Sequence, residues 1–219
     1  MKKLLVALCS AVIVLFAFAG CGGYTAEDAK GLVEGSLQVD FYGEITDEFV
    51  ASVENEKEEL EADYEANIDY YAESFLEICG ITDPTDNEFE EFRTLSKDLL
   101  AKAKWEIGEV EETDRGYMVP VTMYPLDVVD QINNNLQTEL IARSTEIDAS
   151  NMTEDEITAA VTDIAVELIK GYIENADYLD AIEVEVEVYT QEDENGETYF
   201  MMDSDDYIAL NDAFMGFEQ

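Results

Sequence analysis

The sequence predicts an α+β fold: an antiparallel sheet of about four strands, supplied by two hairpins and packed against several helices. Three observations predict it. Apolar residues recur every three or four positions along most of the chain, and they switch to alternate positions over residues 105–124 and 182–202. Thr-x-x-Glu pairs and turn residues stand at the borders between those stretches. A hairpin with one wet face must cover its other face, which is why the helices and the strands belong together.

Thr25-Ala26-Glu27-Asp28 reads as a capping box one residue short, opening a helix to about Leu37 with Ala29, Leu32, Val33 and Leu37 on its apolar side. Tyr42-Gly43 breaks that pattern. Asp47 then starts a long second helix, in which Phe49, Val50, Val53, Leu60, Tyr64, Ile68, Tyr71, Phe75 and Ile78 recur and Gly80 supplies the C-cap. Its other faces carry Glu54, Glu56, Glu58, Glu59, Glu61 and Asp63. After the Asp83-Pro84 turn, Thr85 and Glu88 form a capping pair for a third helix that uses Phe89, Phe92, Leu95, Leu99 and Leu100.

From Trp105 the period is two. Trp105, Ile107, Glu109 and Glu111 lead through Thr113-Asp114-Arg115-Gly116 to Tyr117, Val119, Val121 and Met123, a hairpin whose Pro120 calls for a sheet edge or a bulge. Pro125 suits the first turn of a helix with Leu126, Val129, Ile132, Leu136 and Leu140 on one side. Thr153 and Glu156 cap the next helix, which carries Ile157, Val161, Ile164, Leu168, Ile169, Tyr172 and Ile173. Ile182, Val184, Val186 and Val188 alternate with Glu183, Glu185 and Glu187, so one strand face is apolar and the other acidic. Glu194-Asn195-Gly196 turns the chain into a partner strand over Tyr199 to Met202, and Asp203-Ser204-Asp205-Asp206 caps a short final helix with Ile208, Leu210 and Phe214.

The N-terminus has a separate character. Met1-Lys2-Lys3 precedes an apolar run from Leu4 to Ala19, the form of an export signal. The run is shorter than the roughly 20 apolar residues a spanning helix needs, and Gly20-Cys21-Gly22-Gly23 follows it directly. Phe18-Ala19-Gly20-Cys21 resembles the bacterial lipobox, with Phe18 where Leu is usual. That resemblance implies cleavage before Cys21, lipidation of Cys21 and anchoring to the outer face of the cell membrane, with two acyl chains giving stable attachment. A cut after Ala19 would instead leave a secreted protein with a free thiol. The expected organisation is a signal peptide over residues 1–20, the lipidated cysteine and a spacer over 21–24, and one acidic domain over 25–219.

Without residues 1–20 the chain has 199 residues, with 9 basic against 53 acidic ones and a net charge of −44. Such a chain repels phosphate backbones and anionic headgroups, which excludes nucleic acid as a partner. The full sequence, at 11% aromatic and 47% hydrophobic, is too apolar for a disordered acidic segment. Histidine is absent, which removes Ser-His-Asp and Cys-His catalysis and histidine zinc sites together. With Cys9 in the signal and Cys21 lipidated, Cys79 is left unpaired, on an apolar stripe where a buried structural thiol is expected.

The outline of long helices leading into a curved antiparallel sheet resembles the cystatin-like and nuclear-transport-factor-like folds. The opening Tyr24 to Lys30 with Gly35-Ser36-Leu37, the Phe41-Tyr42-Gly43 turn, Trp105-Glu106-Ile107-Gly108 and Tyr124-Pro125-Leu126 look like uncharacterised small lipoproteins of Gram-positive bacteria. That resemblance implies no activity and carries no functional residues.

Catalysis would have to use carboxylates, as glycosidases do, but 53 acids supply such a pair by chance, and no phosphate-binding, dinucleotide or metalloprotease motif is present. The expectation is therefore no enzyme and no catalytic residue. No cofactor is expected, with calcium as the one option for a chain so rich in carboxylates. Asp203, Asp205 and Asp206 are its candidate ligands, and helix capping explains them equally well; Gln191 to Gly196 resembles the start of a calcium loop only superficially. Tyr64 and Tyr71 fit the apolar stripe, and Tyr70 is the better candidate for exposure. The expected role is a surface module that binds a protein, peptide or small ligand, with a solute-binding accessory of a transporter and a carboxylate hydrolase as alternatives.

Overall fold

The computed structural model describes residues 24–53, 55–192 and 198–216. Its elements in chain order begin with α1 (Ala26–Tyr42), α2 (Asp47–Ser52), α3 (Lys57–Cys79) and α4 (Asp86–Leu100), followed by β1 (Trp105–Ile107), β2 (Glu111–Glu112) and β3 (Gly116–Met123). Then come α5 (Val128–Gln131), α6 (Gln137–Ser144), α7 (Glu154–Glu174), β4 (Ile182–Glu192), β5 (Thr198–Met202) and α8 (Ser204–Phe214). The fold is α+β. The described residues divide into two compact units, one drawn from within Met1–Asn67, Ala103–Pro125 and Asp180–Gln219, the other from Ile68–Lys102 and Leu126–Leu179.

The first unit holds the sheet, in the order β1-β3-β4-β5 with β2 also on β3, and every pairing is antiparallel. Register puts Val119 opposite Val186, Val121 opposite Val184 and Met123 opposite Ile182. Of these only Ile182 is not fully buried. The other face sets Met118, Pro120 and Thr122 opposite Glu187, Glu185 and Glu183, which is the predicted alternation. Helices α1 and α8 pack against the strands, and Phe41, Phe200 and Phe214 lie in the core, with the Phe41 and Phe214 ring centroids 4.7 Å apart. At the chain's entry, Tyr24 stacks on Phe200 at 4.0 Å and its carbonyl accepts the Tyr117 hydroxyl at 2.9 Å.

Pro120 sits at a bulge rather than an edge. Ile107 pairs with Val121 and Glu111 with Met118, so three residues between them face two on β3. The Pro120 carbonyl accepts Gly108 N–H on that side, where a residue's own N–H would also point, so the donor that proline lacks falls where the ladder is already broken.

Three expectations need correction. The first helix runs five residues past Leu37, to Tyr42, and its Thr25–Asp28 capping box is complete. It ends at Gly43, whose φ of 63° is left-handed and whose N–H bonds Val39. The long second helix is two helices: Val53 is extended, with φ −116° and ψ 157°. The acids that follow favour a new N-terminus, with Glu59 accepting Glu56 N–H at 3.1 Å and Glu58 and Glu59 in the first turn of α3. Gly80 caps α3 as expected, at φ 73°.

The second unit is mostly helical. The helix expected from Pro125 starts at Val128, because Leu126 bridges to Tyr178, and it widens to a π-helix over Ile132–Leu136 between α5 and α6. Val128, Ile132 and Leu136 are buried, a strict four-residue step that a wider helix keeps on one face. Capping boxes at Thr85–Glu88 and Thr153–Glu156 start α4 and α7 with both arms made, and these helices pack on each other around Phe92, Leu95, Leu168 and Ile169. The turn expected at Glu194-Asn195-Gly196 lies outside the described residues.

Two glycines test this account in opposite directions. A Cβ on Gly116 would meet the Val188 carbonyl oxygen at 2.2 Å, so Gly116→Ala forces β3 and β4 apart, whereas a Cβ on Gly31 in α1 meets nothing within 4 Å. Urea unfolding is expected to show Gly116→Ala destabilised by roughly 1–3 kcal/mol. It should show Gly31→Ala stabilised by about 0.5–1 kcal/mol.

Candidate functional site

Helix α1 carries two polar residues on its buried side. Ser36 and Asp40 are one turn apart, 5% and 7% exposed, among Leu32, Val33, Leu37 and Val39. The capping at Gly43 sets where the helix ends, and Asn67 of α3 donates to the Asp40 carbonyl at 3.0 Å. Two close approaches bring neighbours in. A Cβ on Gly35 would lie 2.1 Å from the Phe49 ring of α2, and one on Gly43 would lie 2.5 Å from the Tyr64 ring of α3. Only hydrogen on those α-carbons leaves room for the rings.

These contacts enclose a void of about 10 Å³ lined by Ser36, Val39, Asp40, Phe49, Leu60, Asp63 and Tyr207. That is the space of about one water molecule. Burial, and then the charge of Asp63, pushes the Asp40 carboxyl up to about 8. Asp63, half-exposed on α3, is itself raised, by burial first and then by Glu59. The Ser36 hydroxyl is buried without a hydrogen-bond partner among the described residues, which costs about 1–3 kcal/mol.

The calcium candidates lie elsewhere. Asp203 caps α8 by accepting Asp205 N–H at 2.9 Å, Asp206 accepts Glu187 N–H at 2.8 Å, and Asp203 N–H donates to the Glu187 carbonyl at 3.0 Å. Asp203 and Asp206 thus stitch α8 to β4, and Asp205 is exposed. Among the described residues no group of three or more His, Cys, Asp or Glu side chains is disposed to hold a metal ion. Cys21 and most of the calcium-loop-like segment from Gln191 to Gly196 lie outside the described residues. Tyr71 is buried as expected; Tyr64 and Tyr70 are half-buried, and Tyr70 meets the edge of Tyr71 at 5.6 Å. Cys79 is half-buried, and burial pushes its thiol up to about 12.

Sequence reasoning missed Asp40 because it ended the first helix at Leu37, and it placed Asp63 on a solvated face. The signal was present. Continued to Tyr42, the 3.6-residue period puts Asp40 seven residues from Val33 and three from Leu37, on the apolar stripe. A carboxylate in that position is the pattern of a functional or strained site.

No protein-family model and no curated protein matches the chain. Among solved structures it is similar to the crystal structure of a proposed lipoprotein, ycdA, of Bacillus subtilis subsp. subtilis strain 168, at 14% identity and a TM-score of 0.56. The match covers 88% of this chain and 56% of that one, so the chain spans little more than half the length of that neighbour. The likeness is one of fold.

Two measurements check the site's chemistry. The folded protein holds the Asp40 proton up to about pH 8 and the unfolded chain loses it near 3.8, so between those values the folded state binds one proton more. Stability contributed by Asp40 is therefore fully present below about pH 4 and is lost as the pH rises to about 8. Urea unfolding in chelator-treated buffer is expected to show Asp40→Asn gaining on the parent across that range, by several kcal/mol at its top. Iodoacetamide should modify Cys79 roughly a hundred- to a thousandfold more slowly in the folded than in the urea-unfolded protein, read at the Cys79 peptide by mass spectrometry.

Proposed function

We propose that the chain is an exported lipoprotein, cut before Cys21 and held by lipid on that cysteine to the outer face of the cell membrane, where its folded part acts as a non-enzymatic binding module. The carrying observation is the Phe18-Ala19-Gly20-Cys21 segment at the end of the Leu4 to Ala19 apolar run. The fold it shares with the proposed Bacillus lipoprotein supports the reading. Among the described residues no helix is long and apolar enough to cross a membrane.

The tether is short. Gly22 and Gly23 alone separate Cys21 from Tyr24, the residue stacked on Phe200, so the span is at most about 11 Å. That is comparable with a Debye length of about 8 Å, and a net charge of −44 at such a distance favours standing off an anionic bilayer over lying on it.

The surface offered to a partner is the sheet face opposite the core, where half-buried Met118, Pro120 and Thr122 lie beside Glu183, Glu185 and Glu187. An apolar strip with a carboxylate margin suits a protein or peptide segment carrying basic residues. The Asp40–Asp63 pair is the one observation that favours a carboxylate hydrolase, and its size argues against it: a void for one water is far below the roughly 300–1,000 Å³ of ligand pockets.

Replacing Cys21 by Ala is expected to move the protein from the membrane fraction to the medium, or to leave an uncleaved precursor, in fractionation followed by mass spectrometry. A processed form still retained on membranes would overturn the anchoring.

A further inference from the structure

Among the described residues no basic group acts on the acid pair in the first unit. The charges that act on Asp40 and Asp63 are those of other acids, Asp63 on Asp40 and Glu59 on Asp63. A buried carboxylate without compensation is unfavourable, and proteins settle such groups by keeping the proton, by pairing or by coordinating a metal. Ser36 is the independent sign. It is 5% exposed, it lines the same void, and its Oγ has no hydrogen-bond partner among the described residues. A buried hydroxyl left open beside two carboxylates marks a place where another atom belongs.

We propose that this void binds one calcium ion, held by the carboxylates of Asp40 and Asp63 and the hydroxyl of Ser36. Calcium takes 6–8 oxygens at about 2.3–2.6 Å in flexible geometry. The three side chains offer up to five oxygens, and half-exposed Asp63 leaves a solvent side from which water completes the shell. The void, at about 10 Å³, fits one bare ion. Magnesium gives up its waters reluctantly and demands a near-ideal octahedron, whereas here up to five protein oxygens in a flexible arrangement would have to replace water. A divalent ion also matches the charge of two carboxylates, which sodium does not. The site is separate from the Asp203, Asp205 and Asp206 cluster, whose Asp203 and Asp206 side chains already accept backbone N–H groups. It does not depend on lipid anchoring, so neither reading falls with the other.

The test is calcium titration of the full chain in detergent by calorimetry, with terbium luminescence excited through tyrosine as a second readout, because the Tyr207 ring lines the void. One saturable site per chain is expected, with a Kd of about 10⁻⁴–10⁻³ M, above the diffuse binding of an acidic surface. Asp63→Asn, at a half-exposed position that leaves the core intact by circular dichroism, should weaken it at least roughly tenfold. Tyr207→Phe should reduce the terbium signal with the calcium affinity unchanged, and Asp203→Asn should leave both unchanged. Absence of a saturable site in the parent overturns the proposal, as does a site that Asp63→Asn leaves intact or that Asp203→Asn removes.

Discussion

The pairing of β3 with β4 over eight positions, Gly116 to Met123 against Tyr189 to Ile182, is the constraint on which the first unit depends. Because side chains alternate, that one register places Val119, Val121, Met123, Val184, Val186 and Val188 on a single face, and a slip of one residue would turn all of them out to water. Strand β1 adds to β3 and β5 to β4, so both inherit the same face, and α1 and α8 find one apolar surface to cover. The approach of Gly116 to Val188 belongs to the same constraint: the ladder closes there only because Gly116 has no side chain.

The placement of α1 over that surface has a consequence for its polar residues. A helix presents a continuous stripe, and the stripe that carries Leu32, Val33 and Leu37 inward also carries Ser36 and Asp40. Two other buried hydroxyls on helices are settled locally. Ser96 donates to Phe92 and Thr162 to Thr158, each back to the carbonyl four residues earlier. Ser36 makes no such bond, and Asp40 has a second acid for a neighbour where most buried acids have a base. The exception is local, small in volume and surrounded by apolar side chains, so it concentrates unfavourable electrostatics in one place.

The surface is governed by the excess of acid. Arg93 meets Asp69 and Glu90, Arg115 meets Glu187 and stacks on Tyr189, and Arg143 meets Glu167. Pairs this exposed are worth at most about 1 kcal/mol each, so they do not hold the fold together. The acids contribute more at helix N-termini. Glu88 and Glu156 close capping boxes, and their bonds to Thr85 and Thr153 hold both carboxyls below the usual range.

The periodicity in the sequence determined the class of every long element: the switch from three- and four-residue steps to alternation separates helices from strands wherever one face is buried, since burial itself imposes the period. It determined both complete Thr-x-x-Glu boxes, the acidic face of β4 and, through Pro120, a defect in β3, because each rests on groups within a few residues of one another. The proposed export and lipidation signal likewise rests on local patterns, the Leu4 to Ala19 run and Phe18 to Cys21. Tertiary structure decided what local patterns could not. It extended α1 to Gly43, where the Tyr64 ring lies against the cap; it broke the long helix at Val53, and it widened the one after Val128 to keep Ile132 and Leu136 inside. By carrying α1 five residues further and bringing α3 beside it, it placed Asp40 against Asp63 although 23 positions separate them in the chain, a proximity that only packing creates.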